Sequence, residues 1–165
     1  MRELPKRRHP RLKNYDYGDS GDYFVTICTA EHKETLSSVV VGRGLAPAET
    51  KLTELGKTAE EQILKISERF PTVTVENYVI MPNHIHILIF IEGETGGASP
   101  SPTLDAVICA FKSLTVKNYK KLYPVNKIWQ RSYYDHVIRN DVDYSKHWDY
   151  IENNPIDWAL GRHKE

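Results

Sequence analysis

His84-Ile85-His86 places two imidazoles one residue apart inside an apolar, β-branched stretch. Side chains alternate along a strand, so both rings leave the chain on one side and can hold one metal ion between them. On spacing alone the pair is equally compatible with surface histidines or with core histidines satisfied by hydrogen bonds. Near the C-terminus Tyr150 and Asn154 stand at i and i+4, one helical turn, so a phenol oxygen and an amide oxygen project from the same helix face. A phenol ionises near pH ~10 in water and is a poor nucleophile at neutral pH, unless a divalent ion or general base activates it. The same ion would polarise a phosphodiester as charge builds in the transition state. The chain has ten tyrosines, so packing is the ordinary role of any one of them.

The elements that must position these groups are legible in the pattern. A β-branched and aromatic run at 23–29 follows the turn-like Gly18-Asp19-Ser20-Gly21 and predicts a first strand. Residues 37–50, with Gly42, Gly44 and Pro47, have no period and read as a loop or hairpin insertion. Leu55, Ala59, Ile63, Ile66 and Phe70 recur at helical spacing until Pro71 stops them. Strands at 73–81 and 84–91 around the Pro82-Asn83 turn predict a hairpin, with Ile85, Ile87, Ile89 and Ile91 on one face and His84, His86, Leu88 and Phe90 on the other. Leu104, Ile108, Phe111, Thr115 and Leu122 mark a second helix, with Lys112, Lys117, Lys120 and Lys121 largely off the apolar stripe. A short strand at 133–138 closes the set.

Strand, helix, strand, strand, helix, strand is the α+β order of a ferredoxin-like βαββαβ antiparallel sheet with two helices on one face. The other face needs a cover, and the remaining helix, 141–153, capped by Asn140 with Pro155 just past its end, supplies it. On it Tyr144, Trp148 and Ile151 form a packing stripe, and Asp143, His147, Tyr150 and Asn154 a polar one.

The chain of 165 residues suits one domain at 23–158, between a basic N-terminal extension at 1–22 and a tail at 159–165. Cys28 and Cys109 stand in no paired spacing, no signal-type apolar stretch opens the chain, and the longest apolar run, 85–91, is short of a membrane span. The expectation is a soluble, reduced, cytoplasmic protein. The 22 basic and 22 acidic residues cancel, but Arg2, Lys6, Arg7, Arg8, Arg11 and Lys13 crowd the N-terminus, and Lys112, Lys117, Lys120, Lys121, Lys127 and Arg131 fall in a stretch free of acids. Charge runs of this kind are ordinarily solvated faces, and they are also what grips nucleic-acid phosphates.

The string 78–86 (YVIMPNHIH), followed in order by Phe111-Lys112-Ser113, Ile128-Trp129-Gln130, 135–140 (DHVIRN) and 149–155 (DYIENNP), resembles the REP-associated tyrosine transposases, which belong to the single-tyrosine HUH nucleases. The resemblance runs over nearly the whole chain. It implies a ferredoxin-like domain, often dimeric, that binds a single-stranded DNA hairpin and cleaves near its foot. His84 and His86, with Asn154 as third ligand, would bind Mg2+ or Mn2+, and Tyr150 would attack the phosphate to leave a 5′-phosphotyrosine and a 3′-hydroxyl. A second 3′-hydroxyl could then rejoin strands, so no nucleotide cofactor is called for. Related mobile-element transposases typically carry Gln where this chain has Asn154, and the shorter amide requires a closer approach of the last helix.

In this light Arg7, Arg8, Arg11, Lys112, Lys117, Lys120 and Lys121 are expected to meet hairpin phosphates, and Tyr15, Tyr17 or Trp129 to be stacking candidates where they are not packed. A phosphoesterase with paired His-x-Thr motifs is disfavoured because the chain has one His-x-His and no such pair. A relative that binds hairpins without cutting them is the remaining alternative.

Overall fold

The computed structural model describes residues 20–42, 47–93 and 100–162. Arg7, Arg8, Arg11, Tyr15 and Tyr17, and with them the expected basic extension, lie outside the described residues. The central sheet is built on β5 (His84–Ile91), whose two faces are both covered. Ile85, Ile87, Ile89 and Ile91 are fully buried on one side, each contributing about 1.5–3 kcal/mol by leaving water. They meet Leu55, Ala59 and Ile63 of α1 (Glu54–Leu64) and Val107, Ile108 and Phe111 of α3 (Leu104–Lys120) in one core. Thr53 and Thr103 cap these two helices, each accepting a backbone N–H three residues on. A single turn, α2 (Ile66–Arg69), leads from α1 into β4 (Val73–Ile80).

β1 (Gly21–Cys28) lies antiparallel between β5 and β6 (Tyr134–Val137), and β4 flanks β5, giving the order β4-β5-β1-β6. This is the strand order of the ferredoxin-like sheet, as the element order predicts. The expected insertion is a paired hairpin, β2 (Ser37–Val40) with β3 (Glu49–Leu52). It is anchored where Ser37 donates to the Ile80 carbonyl and Leu36 is fully buried. Gly56, in the first turn of α1, abuts this junction so closely that an added Cβ would stand 2.0 Å from the Leu36 carbonyl oxygen. Gly56→Ala should therefore cost stability, by about 1–3 kcal/mol, despite the better helix propensity of alanine. Urea denaturation of the two proteins checks this, and an unchanged or raised midpoint would count against the packing described.

β4 carries a bulge between Val75 and Asn77. Side chains alternate, so one extra residue resets which of them face the helices: Tyr78 reaches Glu60 on α1, while Asn77 donates to Glu152 on the opposite side. Within the bulge Glu76 faces Asp22, with the Tyr144 hydroxyl as a further partner. Burial, for Glu76 joined by the charge of Asp22, pushes both carboxyl groups above their ordinary values. The native state then holds these protons more tightly than the unfolded chain does. Stability is present below the ordinary carboxylate range of 3.8 to 4.5 and is lost as pH rises through the raised native values. Glu76→Gln is expected to raise the melting temperature relative to the parent at pH 7, with the gap closing toward pH 4; a gap independent of pH would contradict it.

α4 (Asp141–Ala159) covers the second sheet face, packing Ile151 and Tyr144 on Phe24, Leu88 and Val79. Asn140 caps it, its side chain accepting from Asp143 N at 2.9 Å. Pro155 does not follow the helix, as expected from sequence, but lies within it, buried. Proline removes one intrahelical hydrogen bond, and α4 nevertheless continues past it, in contact with the β2–β3 hairpin. Two further expectations are corrected by burial. Trp148 is about a third exposed rather than packed on the sheet, because Ile151, Asn154 and Pro155 take the inward positions. Leu122 lies past the end of α3 and is exposed. No helix among the described residues is long and apolar enough to cross a membrane.

Candidate active site

The Met81–Asn83 turn delivers His84 and His86 to the α4 side of β5. Asn83 Oδ1 accepts from His84 Nδ1 at 2.6 Å, which fixes the tautomer with the lone pair on Nε2. His86 is 5% exposed, and its Nδ1 lies 2.9 Å from Oγ1 of Thr26, its cross-strand partner. Its Nε2 is buried with no hydrogen-bond partner among the described residues. Burial, and after it the proximity of His84 and His147, hold the His86 imidazole well below its ordinary pKa. It is thus neutral at physiological pH. The two imidazole centroids are 4.5 Å apart.

Tyr150 lies over His86, ring centroids 5.2 Å apart at 62°, and edge-on to Phe24 at 5.9 Å. It is 40% exposed, so a substrate can reach it. One turn on, Asn154 is buried; its Nδ2 donates to the Tyr150 carbonyl at 3.4 Å, and its Oδ1 has no partner among the described residues. Leaving a buried acceptor unmet costs about 1–3 kcal/mol, and two in one small region call for an explanation. In the tautomer that donates from Nδ1 to Thr26 Oγ1, the His86 imidazole shares one property with the Asn154 amide oxygen, an available lone pair. A divalent cation satisfies both, and the donor set of His84, His86 and Asn154 fits one.

Other tyrosines are differently placed. Tyr144 and Tyr78 are each pushed up to about 12, by burial and then by the carboxylates of Glu76 and Glu60 respectively. Tyr133 is buried.

Several nearby groups escape a reading of spacing alone. Trp158 comes within 6.0 Å of His84 between centroids because α4 runs on through Pro155. Lys146 is exposed one turn before Tyr150. His136 on β6 joins Asp143 and His147 on α4: His136 Nε2 lies 2.9 Å from Asp143 Oδ2, and His147 Nδ1 3.2 Å from Oδ1. Asp143 and His147 belong to the stripe seen in the sequence, but their partner on β6 could be found only by folding the strand against the helix.

The lysines are not gathered here. α3 packs on the isoleucine face, across the sheet from α4, so Lys117, Lys120 and Lys121 are not on the histidine side. Lys112 donates to the carbonyls of Gln130 and Ser132 and lies 5.9 Å above the Tyr133 ring, tying the loop before β6 to α3. Trp129, a stacking candidate by sequence, is buried against Phe111.

No protein-family model matches the chain. A Haemophilus influenzae protein whose name assigns no function is 32% identical over 167 residues, 92% of this chain and 89% of the relative. A second protein of that organism, named "Putative REP-associated tyrosine transposase", is 26% identical over 88% of this chain and 77% of its own length. The REP-associated tyrosine transposase of Escherichia coli is 26% identical over 64% of this chain and 57% of its own length. Among solved structures, a REP-associated tyrosine transposase bound to a REP hairpin superposes with a TM-score of 0.58 at 21% identity, covering 94% of this chain and 76% of that one, and so shares the fold. Motif order, sheet order and these comparisons agree: the chain is a relative of the REP-associated tyrosine transposases and shares their fold.

Proposed function

We propose that this protein cleaves and rejoins single-stranded DNA at the foot of a hairpin, with Tyr150 as nucleophile and His84, His86 and Asn154 as ligands of a divalent cation, Mg2+ or Mn2+. The observation that carries the reading is a pair of buried polar atoms, His86 Nε2 and Asn154 Oδ1, without a partner among the described residues and beside an accessible phenol. A REP hairpin bound to a protein of the same fold supports the choice of substrate. Bound at these ligands, a divalent cation supplies charge neutralisation to the phosphodiester oxygens.

The protein's own groups do the rest. Tyr150 Oη forms a bond to phosphorus and loses its proton to solvent, while the bond to the 3′-oxygen breaks and that oxygen takes up a proton. The products are a 5′-phosphotyrosine and a 3′-hydroxyl. Thr26 and Asn83 hold the two imidazole rings in place, so the site is arranged before DNA arrives. Attack by another 3′-hydroxyl reverses the bond changes, so strand transfer needs no nucleotide cofactor. Lys146 beside Tyr150, the exposed Lys117, Lys120 and Lys121, and the N-terminal Arg7, Arg8 and Arg11 are the phosphate contacts, the α3 lysines meeting DNA that passes round the sheet edge. The test is incubation with a labelled single-stranded hairpin, with and without Mn2+, on a denaturing gel. A metal-dependent covalent adduct is expected; hairpin binding without an adduct would make the protein a binding module instead.

A further inference from the structure

We propose that His136, Asp143 and His147 form a second metal site, distinct from the one beneath Tyr150, which takes a zinc-class transition-metal ion and ties β6 to the start of α4. Each of the three offers one ligand atom, and those atoms lie within 4.8 Å of one another. Two imidazoles and a carboxylate are a donor set that suits zinc, with a fourth position left for water or a phosphate oxygen.

The three side chains come from rigid elements. His136 is the β6 cross-strand partner of Phe24, and Asp143 and His147 stand at i and i+4 on the first turns of α4. The imidazoles stack at 4.7 Å and 22°, so their ring edges are held side by side. Asp143 is oriented by the Arg139 backbone N–H, which donates to Oδ2 at 3.2 Å. Without an ion, hydrogen bonds hold the cluster: His136 Nε2 to Asp143 Oδ2, and His147 Nδ1 to the Asp143 carbonyl at 2.8 Å. A neutral imidazole can turn a lone pair to a metal by a change of tautomer.

The cluster is separate from the first site but adjacent to it. The Phe24 ring lies between them, 5.0 Å from the His86 centroid and 4.7 Å from that of His147. His136 is exposed while Asp143 and His147 are half-buried, so an ion can enter from solvent. The carboxylate also brings negative charge to a dication, which the His-His-Asn set lacks. An ion here would fix the helix one turn before Tyr150 and so limit how that side chain moves.

The test uses the full-length chain without a histidine tag, stripped with chelator and titrated with zinc, with bound zinc counted after gel filtration. The parent should hold two equivalents and His136→Ala one. In a His84→Ala/His86→Ala background the protein should hold one equivalent, and adding His136→Ala should abolish it. Zinc retention unchanged by His136→Ala overturns the proposal, as does the absence of zinc from the double variant if it melts cooperatively. If the double variant does not fold, the parent and His136→Ala decide alone, since His136 is exposed and its truncation leaves the core intact. None of these readouts involves DNA, so a failure of the cleavage reading and a failure of this one are separable.

Discussion

Tyr150→Phe is expected to abolish the covalent protein–DNA adduct, to below one part in ~10³ of the parent, while leaving hairpin affinity within about twofold. Only the hydroxyl is removed. The ring continues to cover His86 and Phe24, so the packing of α4 on the sheet is kept. Because the missing oxygen is the atom that would bond to phosphorus, no neighbouring group can compensate in part, and the loss should be complete rather than graded. The measurement is a denaturing gel of labelled hairpin with manganese, beside a filter-binding curve at fixed salt, since phosphate contacts weaken steeply as salt rises. An undiminished adduct would move the nucleophile elsewhere. Tyr144, raised to about 12 beside Glu76, and the buried Tyr133 are poorly placed to take over.

His86→Ala is the second large effect. Metal-dependent cleavage should fall by at least ~10²-fold, beyond the 10–100-fold typical of losing a group that only orients a ligand. The substitution also empties volume under Tyr150 and Phe24, so a fall in activity by itself could reflect a misplaced helix. Two readouts separate the causes. Raising manganese should restore part of the activity if the remaining donors still hold the ion weakly, and hairpin binding should survive because the lysines proposed as phosphate contacts are untouched. Cleavage in excess chelator at the parent rate would remove the metal from the mechanism altogether.

How much was legible beforehand depended on the range of the interaction. Alternation along β5 separated the isoleucines from His84 and His86, and the structure has the isoleucines fully buried against α1 and α3 with the histidines on the other side. Helical spacing related Tyr150 to Asn154, and the Asn140 cap forms as expected. The β2–β3 insertion was foreseen only as a loop or hairpin, since its short strands bury little and carry no strong period. Pro155 misled because a local rule, that proline ends helices, gave way where the proline is buried within a helix that also contacts a hairpin far away in the chain. Trp158 followed that error, being placed near His84 only by the added turns. Lys112 read as a free cation because nothing local reveals the carbonyls of Gln130 and Ser132 to which it donates. The bulge that turns Glu76 toward Asp22 is likewise invisible to a pattern of alternation, which assumes an unbroken strand.

The sequence by itself determined which residues carry lone pairs and a phenolic oxygen, and which face of their own strand or helix each occupies. These follow from side-chain chemistry and from the 2.0 and 3.6 residue periods of the backbone. Only the tertiary structure decided that α4 lies over the histidine face with Tyr150 above His86, that His86 Nε2 and Asn154 Oδ1 are buried without a partner among the described residues, and that His136 meets Asp143 and His147. Those are properties of distance between segments remote in the chain, and they are set by how one covered sheet face is shared among helices rather than by any local preference.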